Sequence, residues 1–252
     1  MSLLGLFHDP FIWPFHLFVA AHIVTGSVGL LGFWVPVASR KGSPVHRLWG
    51  KVFVLSMLTT GSIAVCMSSL TIMDPVGTHP SLEFDPALIQ GIFGWMMLYL
   101  AILTVNLAWY GLMCIRNRRD HLANRGTFNL FLQAILVVTA ANCAWRGVQL
   151  EQVLMVGISM VGFATAGTNL WFIYKSRPGP TDWLKEHVKG LVGAGISVYT
   201  AFFAFGAVRL MPELALNPGL WAVPLVTGIV IILYHWRKIG LQQSARMSRR
   251  TA

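Results

Sequence analysis

The chain has 252 residues, of which 55% are hydrophobic and only 11% charged, and its net charge is +10. Soluble domains carry about twice that charged fraction, so the composition argues for a chain solvated by lipid. The apolar runs are too long for strands and lack strict alternation, which argues against a β-barrel, and the excess of positive charge fits anionic lipid headgroups better than nucleic acid.

About twenty apolar residues span the hydrocarbon of a bilayer. The first run, Phe11 to Ala38, exceeds that length and has no basic stretch before it, so it reads as a crossing and not as a cleaved signal peptide. Within it His22, Gly26 and Gly29 recur at i, i+4 and i+7 and share one helix face, with Gly32 and Phe33 near its continuation. Small residues on such a face let a second backbone come close. His16 lies about 240° around the helix from His22, so the two do not form a ligand pair.

The second run is Val52 to Met73 and the third Leu88 to Ile115. The fourth is Phe128 to Val148, the fifth Gln152 to Tyr174, the sixth Gly190 to Met211 and the seventh Leu220 to Trp236. Gly190, Gly193 and Gly195 form a second small-residue patch, at the start of the sixth. A basic tail follows from about residue 237, and no linker separates a second domain. Cys66, Cys114 and Cys143 form no CxxC pair and read as structural thiols.

Charge fixes the expected orientation. Seventeen of the nineteen Lys and Arg residues fall in the loops after crossings one, three and five and in the tail; the exceptions are Arg146 and Arg209. The opposite loops hold Asp74, Glu83, Asp85, Glu151 and Glu213. Short basic loops stay cytoplasmic, which puts the N-terminus outside and the C-terminus inside. The expected fold is an all-α bundle of seven crossings in a bacterial inner membrane, arranged as three hairpins plus a final helix.

Each even crossing begins on the inner side with a histidine, His46, His121 or His187, and two of them end with Arg146 or Arg209. Separations of 25 and 22 residues correspond to roughly 33–38 Å, about one bilayer. Three imidazoles at one depth, joined by His235, are candidates to ligate a metal ion or haem b if the helix starts converge. Solvation at the lipid headgroups is the ordinary alternative. His22 sits roughly 10 Å inside the outer interface, where an ionisable group faces protein and finds a partner. Asn142 lies at a similar depth and Arg146 one turn further out on the same face, and one or the other is expected to line an outer cavity with His22. His22, Asn142, Arg146 and Arg209 are therefore the candidate ligand-binding set. His8 and His79 belong to outer loops.

The pattern His22-x-x-x-Gly26, followed by His46-Arg47-x-x-Gly50-Lys51, resembles a family of bacterial multi-pass membrane proteins of unknown function. His121, and His187 with Tyr199-Thr200-Ala201-Phe202, resemble its later segments. The similarity covers patches between Ala20 and Arg209 and departs at Leu122-Ala123-Asn124. It implies a multi-pass fold and no established activity.

Several chemistries lack their residues. HExxH, GxSxG and P-loop motifs are missing, no lysine lies mid-helix for a Schiff base, and no carboxylate lies at a helix centre for proton-coupled transport. A two-haem cytochrome needs two histidine pairs, and the outer level offers only His16 and His22. Three readings are left. A hydrophobic cofactor or quinone-like ligand engaged in redox chemistry suits the buried His, Asn and Arg. A zinc hydrolase needs an acidic partner from Asp120, Asp182 or Glu186. A non-catalytic subunit of a membrane complex needs neither.

Overall fold

The computed structural model describes residues 12–203 and 218–251, and among them the regular structure is entirely helical. Six helical segments are long and apolar enough to cross a membrane: Trp13–Ala38, Pro44–Met73, Pro86–Arg116, Thr127–Gln149, Val153–Ile173 and Ala222–Ala245. The chain is an all-α, multi-pass membrane protein. The predicted run Gly190–Met211 is described only as far as residue 203, as the second half of a helix whose first half bears charges.

The helices are α1 (Ile12–Gly32), α2 (Trp34–Ala38), α3 (Pro44–Met73), α4 (Pro75–Thr78) and α5 (Pro86–Ile89). A π-helical stretch, Gln90–Met96, leads into α6 (Met97–Arg116). After a 3-10 turn at His121–Arg125 come α7 (Thr127–Gln149), α8 (Val153–Ile173), α9 (Asp182–Ala201) and α10 (Pro218–Thr251).

Local chemistry sets the ends. Ser43 caps α3 by accepting from the His46 backbone N–H at 3.2 Å, with Pro44 at the first helical position, so α3 starts eight residues before its apolar run. Asp85 caps α5 in the same manner, accepting from Ala87 N–H at 2.7 Å. The basic segment after residue 237 is helical: α10 runs through it to Thr251.

α6 is the hub. It packs on α3, α7 and α9, and carries the fully buried Tyr99, Tyr110 and Asn106. α1 lies on α3, α8 on α7, and α10 on α9. Among the described residues the expected pairing of crossings five and six is not seen: α9 packs against α6 and not along α8. The small-residue patch explains the choice. A Cβ built on Gly190 would lie 2.7 Å from the Gly111 Cα and 2.8 Å from its nitrogen, so the two backbones touch where neither residue has a side chain. The His22 face likewise packs on α3. A Cβ on Gly26 would meet Thr60, and one on Gly29 would collide with Met57.

Candidate functional site

The basic end of the bundle holds the densest set of titratable side chains. His46, near the start of α3, places Nδ1 3.0 Å from the Pro36 carbonyl oxygen. His187, on the first turns of α9, places Nδ1 2.8 Å from the Gly111 carbonyl oxygen. A carbonyl only accepts, so in the neutral ring each Nδ1 carries the proton and donates it. Each Nε2 then keeps its lone pair, available to a proton or a Lewis acid. Burial pushes the His187 pKa down. The Gly111 carbonyl opposes this, and the nearby charges of His46 and Lys41 add to the lowering. His187 is thus held as a neutral base.

Two lysines and a third histidine complete the set. Lys41 donates from Nζ to the Pro36 and Val37 carbonyls at 2.7 and 2.6 Å, closing the end of α2. An ammonium has three N–H donors, so one is left over. Burial lowers the Lys41 pKa, and the neighbouring Lys238 lowers it further. His235, on α10, feels both Lys41 and Lys238. The loop before α3 and the starts of α9 and α10's polar half therefore meet at one level.

Beside this set, α9 is tied to α6 by a partly buried charge network. The Glu186 carboxylate accepts from Tyr110 Oη at 2.6 Å and pairs with Lys189. Lys189 lies 5.2 Å above the Tyr110 ring and donates to Thr168 Oγ1 at 3.2 Å. At the edge, Trp236 Nε1 donates to the Lys185 carbonyl at 2.9 Å, which fastens α10 to α9. In the loop before α9, Lys175 pairs with Asp182 at 2.7 Å. Burial raises the Asp182 pKa, but the Lys175 ammonium and the Gly179 N–H more than offset this and hold it below the usual carboxylate range.

The structure does not bring the three predicted metal histidines together. His46 and His187 interact, but His121 stands apart in the 3-10 turn, with its ring against Phe172 at 4.8 Å. Asp120 caps that turn through the Ala123 N–H and holds His121 there. Among the described residues no group of three or more His, Cys, Asp or Glu is placed to hold a metal ion. Of the acidic partners proposed for zinc chemistry, Asp182 and Glu186 are both engaged with lysines.

The outer set is also divided. His22 faces α3 as expected, against the Thr60 backbone, with its Nδ1 buried and unpartnered in the protein. Next to it Thr60 Oγ1 donates to Thr25 Oγ1 at 2.8 Å. Arg146 lies elsewhere, 5.2 Å over the Trp95 ring of the π-helical stretch, and Asn142 is half-buried one turn before it on α7. Neither shares a partner with His22. Arg209 lies outside the described residues.

One cluster has no counterpart in the sequence expectations. Asn106 on α6, Gln133 on α7 and Asn169 on α8 meet in the core, at 0%, 2% and 0% exposure. Asn169 Nδ2 donates to Asn106 Oδ1 and to Gln133 Oε1, each at 3.2 Å. Asn106 Nδ2, Gln133 Nε2 and Asn169 Oδ1 find no partner in the protein. A buried polar atom left unpaired costs about 1–3 kcal/mol, so three in one place are a considerable deficit. In the sequence these three are among several carboxamides in three consecutive apolar runs, and nothing there singles them out.

No protein-family model matches the chain, and neither a curated protein nor a solved structure shows significant similarity to it.

Proposed function

We propose that the protein is a seven-crossing inner-membrane protein, N-terminus outside, that binds a quinone-like small hydrophobic ligand at the level of His46 and His187. One observation carries this reading: two neighbouring imidazoles, on α3 and α9, are each fixed through Nδ1 by a backbone carbonyl. Two unprotonated Nε2 atoms suit the hydroxyls of a quinol, whose protons they can accept. The spare N–H of Lys41 and the Lys238 ammonium suit a carbonyl or phenolate oxygen. The lipid around the bundle supplies such a ligand directly. Residues Gly190 to Met211 as a seventh crossing, and the charge bias of the loops, support the orientation. The resemblance of the His22–Gly26 and His46–Lys51 patches to uncharacterised bacterial membrane proteins supports the location.

Two measurements test the proposal. A phosphatase or fluorescent reporter fused after Ala252 is expected to report the cytoplasmic side; a periplasmic reporter reverses the topology. Protein purified from membranes is expected to release about one lipid-soluble quinone per chain on solvent extraction. The double variant His46→Leu/His187→Leu should bind a short-chain benzoquinol at least about ten-fold more weakly, because the two acceptors for its hydroxyl protons are lost. If the wild type carries no quinone and binds none, the reading as a non-catalytic subunit of a membrane complex takes its place. A Soret band would instead mark haem on the same histidine pair.

A further inference from the structure

We propose that a file of ordered water enters the bundle from the cleft beside His121 and ends at the Asn106–Gln133–Asn169 cluster, between α6, α7 and α8. The cleft, about 210 Å³, opens at the basic end and is lined by Asn117, Arg118, Arg119, His121 and Asn124 among others. Asn124 lines it while being only 2% exposed. It accepts at Oδ1 from Asn117 Nδ2 at 3.1 Å, and its backbone carbonyl accepts from Asn129 Nδ2 at 2.7 Å. Asn129 and Gln133 stand one turn apart on the same face of α7. Gln133 then joins Asn169, and Asn169 joins Asn106. Amide side chains thus continue from the cleft to the core.

The unpaired atoms follow the same line. His121 Nε2, Asn129 Oδ1, Gln133 Nε2, Asn106 Nδ2 and Asn169 Oδ1 are all buried and lack a partner in the protein. Their chemistry selects the occupant. Oxygen acceptors alternate with N–H donors, so a cation would satisfy only the former and an anion only the latter. Water both donates and accepts, and a buried water typically makes about three hydrogen bonds to groups of this kind. Lipid chains offer nothing to these amides, which makes hydration from the cleft the available source.

Hydroxyl-radical footprinting of the full chain in lipid nanodiscs tests the file, because ordered water beside a side chain delivers the label to it. In the wild type Leu136, fully buried and three residues from Gln133 on the same face of α7, is expected to be modified about five-fold faster than Ile92, 3% exposed on the π-helical stretch and far from the cluster. The reporter variant Gln133→Met places a reactive thioether in the file at nearly the same volume. Its sulfur is expected to oxidise about ten-fold faster than that of the fully buried Met57. Equal, slow labelling of Leu136 and Ile92 in the wild type overturns the proposal. So does a position-133 thioether as protected as Met57 in a folded variant. Should that variant fail to fold, the wild-type comparison alone decides.

Discussion

Gly190→Ala is expected to be among the most damaging single-methyl changes in the protein, lowering the melting temperature by about 6–12 °C. The added Cβ meets backbone and not a side chain: the Gly111 Cα at 2.7 Å, the Gly111 nitrogen at 2.8 Å and the Leu107 carbonyl oxygen at 3.0 Å. A side chain can rotate away from such a contact, but a packed backbone moves only with its whole helix. Overpacking of this kind costs about 3 kcal/mol, and each kcal/mol shifts the midpoint of a chain this size by about 2–4 °C. The effect reaches the proposed site as well. His187 lies three residues before Gly190 and is positioned by the Gly111 carbonyl, so separating α9 from α6 breaks that 2.8 Å hydrogen bond. Gly167→Ala is the control, since nothing lies within 4 Å of a Cβ there. It should be neutral or slightly stabilising, because Ala is the better helix former. Equal melting temperatures for the two variants would show that the α6–α9 contact tolerates separation.

The parts of the fold legible in the sequence are those that a bilayer dictates. Six of the apolar runs are helices of spanning length because lipid offers no partner for a free backbone N–H or carbonyl. The glycine faces were equally legible: Gly26 and Gly29 meet α3, and Gly190 meets α6. Which helix receives a glycine face was not, because that depends on a matching bare patch elsewhere, here Gly111, far away in sequence. Among the described residues the same non-local pairing stands in place of the one expected between α8 and α9. Helix direction put His46, His187 and His235 at one level, but it did not foresee that Asp120 would cap a separate 3-10 turn and keep His121 out of their group. Asn142 or Arg146 was expected to face a cavity with His22. Depth along a helix says nothing of azimuth, and the structure sets the Arg146 guanidinium over Trp95. Asn106, Gln133 and Asn169 carry no charge, so a reading organised by charge and ionisation passes over them. Only their meeting at 3.2 Å gives them meaning.

Glu186→Ala is expected to destabilise the protein by about 1–3 kcal/mol, chiefly the cost of leaving the buried Tyr110 hydroxyl unpaired. Lys189 and Glu186 each retain 15% side-chain exposure, and Glu186 lines a cleft, so water can take over part of the lost carboxylate's role toward Lys189. Tyr110 makes the loss larger. Its ring is fully buried, its hydroxyl donates to Glu186 at 2.6 Å, and without that acceptor the hydroxyl is stranded in the α6–α9 interface. Lys189 keeps its place over the Tyr110 ring and its bond to Thr168, but neither neutralises the ammonium. The change should therefore be worse than a surface ion-pair deletion, for which about 0–1 kcal/mol is usual. The double variant Glu186→Gln/Lys189→Met separates the causes. It removes both charges, keeps an acceptor for Tyr110 and preserves most of the volume, so it should recover more than half of the loss. Thermal melts of the wild type, Glu186→Ala and the double variant in the same detergent decide the matter. If Glu186→Ala costs no more than a surface pair, the Tyr110–Glu186–Lys189 network is solvated in the membrane-bound protein and does not hold α9 to α6.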